Sequence, residues 1–365
     1  MTARLDDGLD KMEAGRASEI RARRANTTGA SPRVMKVVSL LLLTPQYAVL
    51  ILTMRWARTR PGPLFTSSTA VLLAEVVKTC TCIFIILVQE RSVSLWAHHI
   101  YKELLCRPWD FLKVCIPSLL FVIQNNLVYV AVSNLDAATF QVTYQLKILT
   151  TAVFSVVLLK KRLSRPQWMA LLLLFIGVSI IQVQSTSGSS KADSSPSAQS
   201  PVRGLAAVIA CCCLSGFANV FFEMLLKGGK QSVWMRNIQL GLSGTILGAM
   251  AVWINDGSKI RDQGFFFGYD ELVWSVVLLQ SLGGLLVATV IKYADNILKG
   301  FSTAGSILLS CIASIYIFDF QVTMEFVVGT TLVILAVYLY SSFPATTPGL
   351  EINIEAPPKK PVEQV

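Results

Sequence analysis

Long apolar runs constrain this chain more than any other feature of its sequence. Ten runs lie along it, each close to the roughly 20 residues that a helix needs to cross a bilayer. Charged residues make up only 15% of the chain, whereas about 25% is usual in a soluble domain. We therefore predict an all-α polytopic membrane protein with ten transmembrane helices. The runs cover residues 37–54, 65–89, 111–131, 137–159, 167–184, 203–226, 234–254, 272–291, 296–318 and 323–342.

The distribution of basic residues predicts which side of the membrane the termini occupy. Ten spans place both termini on one side, where 21 Lys and Arg residues fall, against 7 on the other side. Cytosolic loops of membrane proteins are the more basic ones, so we predict cytosolic termini. The tails at 1–36 and 343–365 are polar and are predicted to be disordered. Arg55, Arg58 and Arg60 oppose this orientation, and glycosylation of the sequon at Asn26 would reverse it.

A serine-rich stretch at 185–202 divides the spans into two sets of five. We predict that it is a flexible luminal linker between two repeats, at 37–184 and 203–342. The motif Asn-Leu-Asp ending at Asp136 opens the fourth span, and Ala-Asp-Asn around Asp295 opens the ninth. An odd number of spans per repeat gives the repeats opposite orientations. Transporters built from such inverted repeats bind their substrate near the bilayer midplane, between the repeats.

Lys147 is the most informative charged residue, because it lies near the middle of the fourth span. No acidic residue lies within four positions of it. The cytosolic surface is about three helical turns away, too far for a lysine side chain to reach. A charge at this depth is costly and is usually functional. Its counter-ion is either Glu223 in the sixth span or an anionic ligand, and we favour the ligand.

Two further groups of charged residues lie within or beside the predicted spans. Glu75 and Lys78 are three residues apart on one helix, so they can form an ion pair there. That pair has either a structural or a gating role. Lys292, Asp295 and Lys299 lie at the junction of the eighth and ninth spans, where two cations flank one acid. They form either a cationic binding group or ordinary cytosolic loop charge.

Polar amides complete the candidate site and indicate the chemistry of its ligand. The triplet at 124–126 and the pair Arg236-Asn237 lie in apolar spans, where an amide needs a cavity or another helix as its partner. Two cationic poles and an amide-rich wall suit an anion with hydrogen-bonding rings, such as a sugar nucleotide. The chain contains no P-loop, no nucleophile triad and no spacing of ligands typical of zinc. We therefore predict no enzymatic activity, no cofactor, no metal site and no nucleic-acid partner.

Nine stretches of the sequence carry a resemblance to a known family. They are 68–71, 74–78, 124–126, 133–138, 141–148, 231–234, 236–239, 264–266 and 292–301, of which 141–148 reads Gln-Val-Thr-Tyr-Gln-Leu-Lys-Ile. At these residues the chain resembles the nucleotide-sugar transporters of the Golgi and endoplasmic reticulum, within the drug/metabolite transporter superfamily. The resemblance extends over about residues 36–342. It looks closest to the branch for UDP-galactose and UDP-N-acetylglucosamine, followed by the CMP-sialic acid branch.

The resemblance implies an antiporter with ten helices and cytosolic termini, in the Golgi membrane or that of the endoplasmic reticulum. Such a carrier imports a cytosolic nucleotide sugar by alternating access, in exchange for a luminal nucleoside monophosphate. For this chain it implies UDP-galactose and UMP, with UDP-N-acetylglucosamine, both UDP-sugars or CMP-sialic acid as alternatives. It also implies that Lys147 and Lys292, one from each half, hold the phosphates. The residues implied to line the nucleotide pocket are Asn125, Tyr144, Ser215, Gly216 and Asn237.

Three departures from the family pattern lie in the sixth span. The family commonly reads Gly-Phe-Ala-Gly-Val-Tyr-Phe-Glu-Lys there, whereas this chain has Asn219, Phe221 and Met224 in place of the second Gly, the Tyr and the Lys. We expect Asn219 beside the nucleotide pocket, where it affects the sugar preference or transport itself. This change keeps open a function of another class, a non-transporting Golgi scaffold for glycosyltransferases. A homodimer stays open too, since Gly244-x-x-x-Gly248 fits both dimerisation and internal packing.

Overall fold

The computed structural model describes residues 31–59, 63–104, 106–135, 137–187, 201–229, 231–317 and 323–343. The described residues form twelve α-helices and no strand. The helices are α1 (Pro32–Thr59), α2 (Ser67–Glu90), α3 (Val93–Leu104), α4 (Pro108–Asn134), α5 (Ala137–Tyr144), α6 (Leu146–Leu159), α7 (Arg165–Ser187), α8 (Pro201–Gly228), α9 (Val233–Gln263), α10 (Glu271–Tyr293), α11 (Asn296–Ile317) and α12 (Met324–Ser342).

Nine helices in the described part of the chain are long and apolar enough to span a bilayer. α7 adds a shorter apolar stretch, Arg165–Ile181. The prediction of an all-α polytopic membrane fold is therefore confirmed. The count of ten spans and the inverted repeats are compatible with this architecture and stay predictions. So does the division into tails, linker and repeats, because most of both tails and most of the linker lie outside the described residues. The described end of the N-terminal tail is helical, since α1 begins at Pro32 rather than at residue 37.

α3 is a short helix that the count of apolar runs does not include. It packs through Trp96, Ile100 and Leu104 against the ends of α2 and α9, while none of its residues is fully buried. The indole nitrogen of Trp96 donates a hydrogen bond of 3.2 Å to the carbonyl of Ile83 on α2. An amphipathic helix of this kind suits the membrane surface rather than its interior.

The predicted fourth span is interrupted at its centre. α5 ends at Tyr144 and α6 begins at Leu146, with Gln145 in the turn between them. The amide of Gln145 donates to the carbonyl of Val142 at 3.1 Å, and the amide of Ile148 donates to the carbonyl of Gln145 at 2.9 Å. Both bonds span three residues instead of four, so the helix tightens locally. Discontinuous helices of this kind form the substrate sites of many transporters.

The helices before residue 188 and those after residue 200 pack against each other rather than as two separate bundles. α1 packs against α10 and α11, α2 against α9, α4 and α6 against α8, and α7 against α12. Glycines permit the closest of these approaches. A side chain at Gly177 on α7 would meet the carbonyl of Gly329 on α12 at 2.9 Å. Gly244 and Gly248 face Glu75 and Leu72 on α2, which favours internal packing for this glycine pair.

Candidate functional site

A cavity of about 340 Å³ lies among α1, α5, α6, α7, α8 and α11. The described residues that line it include two lysines and no carboxylate, so its wall carries net positive charge. The broken span supplies the turn at its centre, and α8 and α11 supply the opposite wall. The polar lining residues are Tyr47, Tyr144, Gln145, Lys147, Thr151, Ser215, Asn219, Asn296, Lys299 and Thr303.

Lys147 follows the turn at the break and points into the cavity. Its ammonium nitrogen lies 4.1 Å from the centroid of the Tyr144 ring, a cation–π contact. Among the described residues, no carboxylate lies within ion-pair distance of it. The Tyr144 hydroxyl accepts a hydrogen bond of 3.3 Å from Gln124 Nε2, which fixes the ring. Lys147 is thus a buried cation that an aromatic face supports and that no carboxylate of the described residues neutralises.

Lys299 supplies the second cation of the cavity from the first turns of α11. Its Nζ donates to Asn219 Oδ1 on α8 at 2.8 Å. Asp295 precedes the helix and accepts from the amide of Leu298 at 2.8 Å, so it caps the helix that carries the lysine. The partner of Lys299 is therefore a neutral amide, which leaves its charge available to a ligand.

Asn296 lines the cavity with one of its hydrogen-bonding atoms unused by the described residues. Its Nδ2 donates to the carbonyl of Asn219 at 2.7 Å and to Glu223 Oε2 at 2.9 Å. Its Oδ1 is buried and has no hydrogen-bond partner among the described residues. A buried acceptor without a partner costs free energy, so a donor from a bound ligand or water would stabilise it.

The region where α8 ends and α11 begins holds a second set of charges, which we call the Glu223 cluster: Lys161, Glu223, Lys227, Asp295 and Asn296. Glu223 Oε1 accepts from Lys161 and Lys227 at 2.8 Å each, and Oε2 accepts from the amide of Asn296 at 3.0 Å. Lys161 also lies 3.4 Å from Asp295. Because these partners engage Glu223 fully, it is not the counter-ion of Lys147. The cluster ties the connection between α6 and α7 to α8 and α11.

The structure brings four of the predicted substrate-binding residues together and places three others elsewhere. Tyr144, Lys147, Ser215 and Asn219 line the cavity, whereas Lys292, Gly216 and Asn237 do not. Lys292 donates through Nζ to the carbonyl of Leu226 at 2.6 Å. Asn237 is buried and donates to the carbonyl of Val233 at 2.9 Å. The side chain of Asn125 lies outside the described residues.

Gly216 and the remaining charged pair have packing contacts of their own. A side chain at Gly216 would meet the backbone nitrogen of Thr151 at 2.9 Å, so the glycine lets α8 approach α6. Glu75 and Lys78 form the ion pair predicted for them, at 2.5 Å. Glu75 also lines a second cavity of about 280 Å³ between α2, α4 and α9.

Sequence reasoning missed the position of Lys299 in the cavity, along with Tyr47 and Asn296. A signal was present on the ninth span. Asn296, Lys299 and Thr303 recur at spacings of three and four residues, which places them on one face of a helix. Lys292 lies before the turn into that helix, so it does not share the face.

Comparisons with known proteins agree with this architecture. The family described as nucleotide-sugar transporter matches residues 31–341. The UDP-galactose translocators of Mus musculus and Homo sapiens are each 54% identical over 316 residues, which cover 86% of this chain and 80% and 79% of theirs. The UDP-N-acetylglucosamine transporter of Homo sapiens is 51% identical over 316 residues, 85% of this chain and 96% of that protein. One crystal structure covers 86% of this chain and 98% of its own with a TM-score of 0.61; at 15% identity it shows the fold alone.

Proposed function

This chain belongs to the nucleotide-sugar transporter family, whose members are transporters and not enzymes, and we propose that it exchanges UDP-galactose for UMP across the Golgi membrane. It is a multi-pass membrane protein and a nucleotide-sugar transporter. UDP-galactose translocators share 54% of matched residues with it, and UDP-N-acetylglucosamine transporters share 50–51%. UDP-N-acetylglucosamine is therefore the nearest alternative substrate, and CMP-sialic acid a more distant one.

The observation that carries the proposal is the uncompensated charge of Lys147 in the cavity. A buried lysine without an acidic partner is costly, and a phosphoryl group supplies the missing anion. UDP-galactose carries two phosphoryl groups and UMP carries one. The second cavity cation, Lys299, takes the place that sequence reasoning assigned to Lys292 in the proposed phosphate clamp. Lys147 and Lys299 approach the cavity from the two halves of the chain.

The proposed transport cycle follows from the electrostatics of this pair. The positive charges of Lys147 and Lys299 repel each other in the empty cavity and attract a bound phosphoryl group. The loaded carrier therefore changes conformation more easily than the empty one, which favours exchange over net transport. In this cycle Tyr144 and Ser215 contact the nucleotide.

The Golgi location and cytosolic termini complete the proposal. The excess of basic residues on the side of the termini, 21 against 7, supports this orientation. Protease protection of terminal tags in sealed Golgi vesicles tests it, with cleavage expected at both ends. Protected termini, or a glycan on Asn26, would reverse the orientation.

The decisive experiment is exchange in proteoliposomes loaded with UMP. We expect uptake of UDP-galactose, with competition across a panel of nucleotide sugars ranking the alternative substrates. Lys147→Ala and Lys299→Ala should each lower uptake strongly. Lys113→Ala is the matched control, because Lys113 is an exposed lysine on α4 whose ion-pair partner is Asp110. Undiminished uptake in both cavity variants would contradict the clamp.

A non-transporting scaffold, the alternative function, would give a different result in the exchange assay. A scaffold for glycosyltransferases would show no exchange of any nucleotide sugar and would co-purify with a transferase. Either a homodimer or a transferase complex is compatible with transport, so cross-linking in the native membrane addresses assembly separately.

A further inference from the structure

We propose that Asn219 is a positioning residue for phosphate binding: it holds the ammonium of Lys299 in the empty cavity and releases it to a phosphoryl group of the ligand. The proposal rests on the proposed function and adds a role for one residue within the same site. Sequence reasoning placed Asn219 beside the pocket as a residue that affects the sugar preference or transport itself. Its contacts indicate that it acts through the lysine.

Both ends of the Asn219 amide are engaged, which fixes its orientation. Nδ2 donates to the carbonyl of Ser215 at 2.7 Å and lies 3.4 Å from the Ser215 hydroxyl. Oδ1 is therefore turned toward α11, where it accepts from Lys299 Nζ at 2.8 Å. The reversed amide would point its donors at the ammonium, which has only donors of its own. The ammonium position is thus defined by α8.

The backbone of Asn219 is fixed to the same helix that carries the lysine. Its carbonyl accepts from Asn296 Nδ2 at 2.7 Å, and Asn296 is held in turn by Glu223. α8 and α11 are therefore linked at two points around this residue. These two hydrogen bonds, from Lys299 and from Asn296 to Asn219, hold the two helices at a fixed distance. The Lys299 side chain therefore keeps its position in the cavity as long as both bonds are intact.

The neutrality of the amide gives Asn219 its role. A carboxylate at this position would form an ion pair with Lys299, and a phosphoryl group would have to displace it. An apolar residue would leave the ammonium without an acceptor near the cavity. The carboxylate of Glu223 lies one turn further along α8 and would draw the lysine away from the cavity. An amide holds the lysine in place, and the stronger charge-assisted bond to a phosphoryl oxygen can replace it.

The test compares two substitutions of different chemistry in the exchange assay. Asn219→Asp is nearly isosteric and introduces a negative charge, so we expect KM for UDP-galactose to rise about tenfold or more. Asn219→Ala should raise KM by a few fold. Turnover at saturating substrate should change by less than about twofold in Asn219→Ala, since both cavity lysines keep their charge and no new charge is added. Asn255→Ala is the matched control, because this exposed amide on α9 bonds Asn126 away from the cavity.

A double-mutant cycle separates positioning from a merely structural role. UMP binding is measured as ligand-induced thermal stabilisation of each purified variant. If Asn219 acts through Lys299, Asn219→Ala has no further effect on UMP binding in the Lys299→Ala protein. An undiminished effect in that background, or a wild-type KM for Asn219→Asp, would overturn the proposal. A wild-type protein that exchanges no nucleotide sugar contradicts the proposed function, and this inference with it, whereas normal exchange with an indifferent Asn219→Asp contradicts the inference alone.

Discussion

Two regions of buried charge in this protein follow opposite rules. In the Glu223 cluster, one buried carboxylate accepts hydrogen bonds from Lys161, Lys227 and Asn296. In the cavity, Lys147 has an aromatic ring beside it and, within the described chain, no carboxylate as partner. A charge whose partners are built into the protein stabilises the fold, whereas a charge without one costs free energy until a ligand supplies the partner. The contrast separates the charges that hold the carrier together from those available to its cargo.

Replacing Glu223, the central residue of the Glu223 cluster, should have the largest effect on the stability of the protein. Glu223→Ala removes the carboxylate that Lys161, Lys227 and the amide groups of Asn296 share as an acceptor. Loss of one partner from a buried ion pair typically costs about 3–5 kcal/mol, and we expect a loss of stability of that order. Thermal unfolding of the purified protein measures it, with the exposed Glu271→Ala on α10 as control. Equal unfolding temperatures for the two variants would mean that the cluster is not structural.

Replacing Lys147 should lower exchange and leave the stability of the fold intact, the reverse of what we expect for Glu223. Lys147→Ala removes a charge that no carboxylate in the described part of the chain neutralises, so its unfolding temperature should stay the same or rise. Exchange should fall by about 10- to 100-fold in kcat/KM, the equivalent of about 1.5–3 kcal/mol for a lost charge-assisted bond. A destabilised variant with normal exchange would place Lys147 with the structural charges.

The Tyr144 ring beside Lys147 should contribute less to exchange than the lysine itself. Tyr144→Leu removes the ring and should lower kcat/KM by the equivalent of about 0.5–2 kcal/mol. Tyr144→Phe keeps the ring and loses only the hydroxyl that accepts from Gln124, so most of that activity should remain. If the two variants lose the same activity, the hydroxyl rather than the ring is the important group.

Replacing Lys292, which lies outside the cavity, should have the smallest effect on exchange. Lys292→Ala removes one hydrogen bond to the carbonyl of Leu226, worth about 0.5–1.5 kcal/mol of stability. Exchange should stay within about twofold of wild type, since no cavity charge is lost. Uptake reduced as far as in Lys299→Ala would restore Lys292 to the phosphate clamp.

The parts of this molecule that depend on local sequence could be predicted, and those that depend on how helices meet could not. Apolar runs of sufficient length located the spans, and the isolation of Lys147 among apolar residues identified it as a candidate without reference to any neighbour. The break at Gln145 was not predicted, because the segment contains no proline or glycine to signal it. The distinction between Lys292 and Lys299 depends on the turn at 294–295, on either side of which α10 and α11 pack against α1. The free energy that orients these lysines comes from residues distant in sequence.

The packing of α1 has a consequence for how the protein is made. Its neighbours α10 and α11 lie near the other end of the chain, and Thr44 Oγ1 lies 3.5 Å from the carbonyl of Ser302, 258 residues away. During synthesis α1 leaves the ribosome long before its native neighbours α10 and α11. It must therefore remain in lipid without these partners until both of them have been made. Contacts between such distant segments form late, so loss of the C-terminal helices would also deprive the first helix of its place.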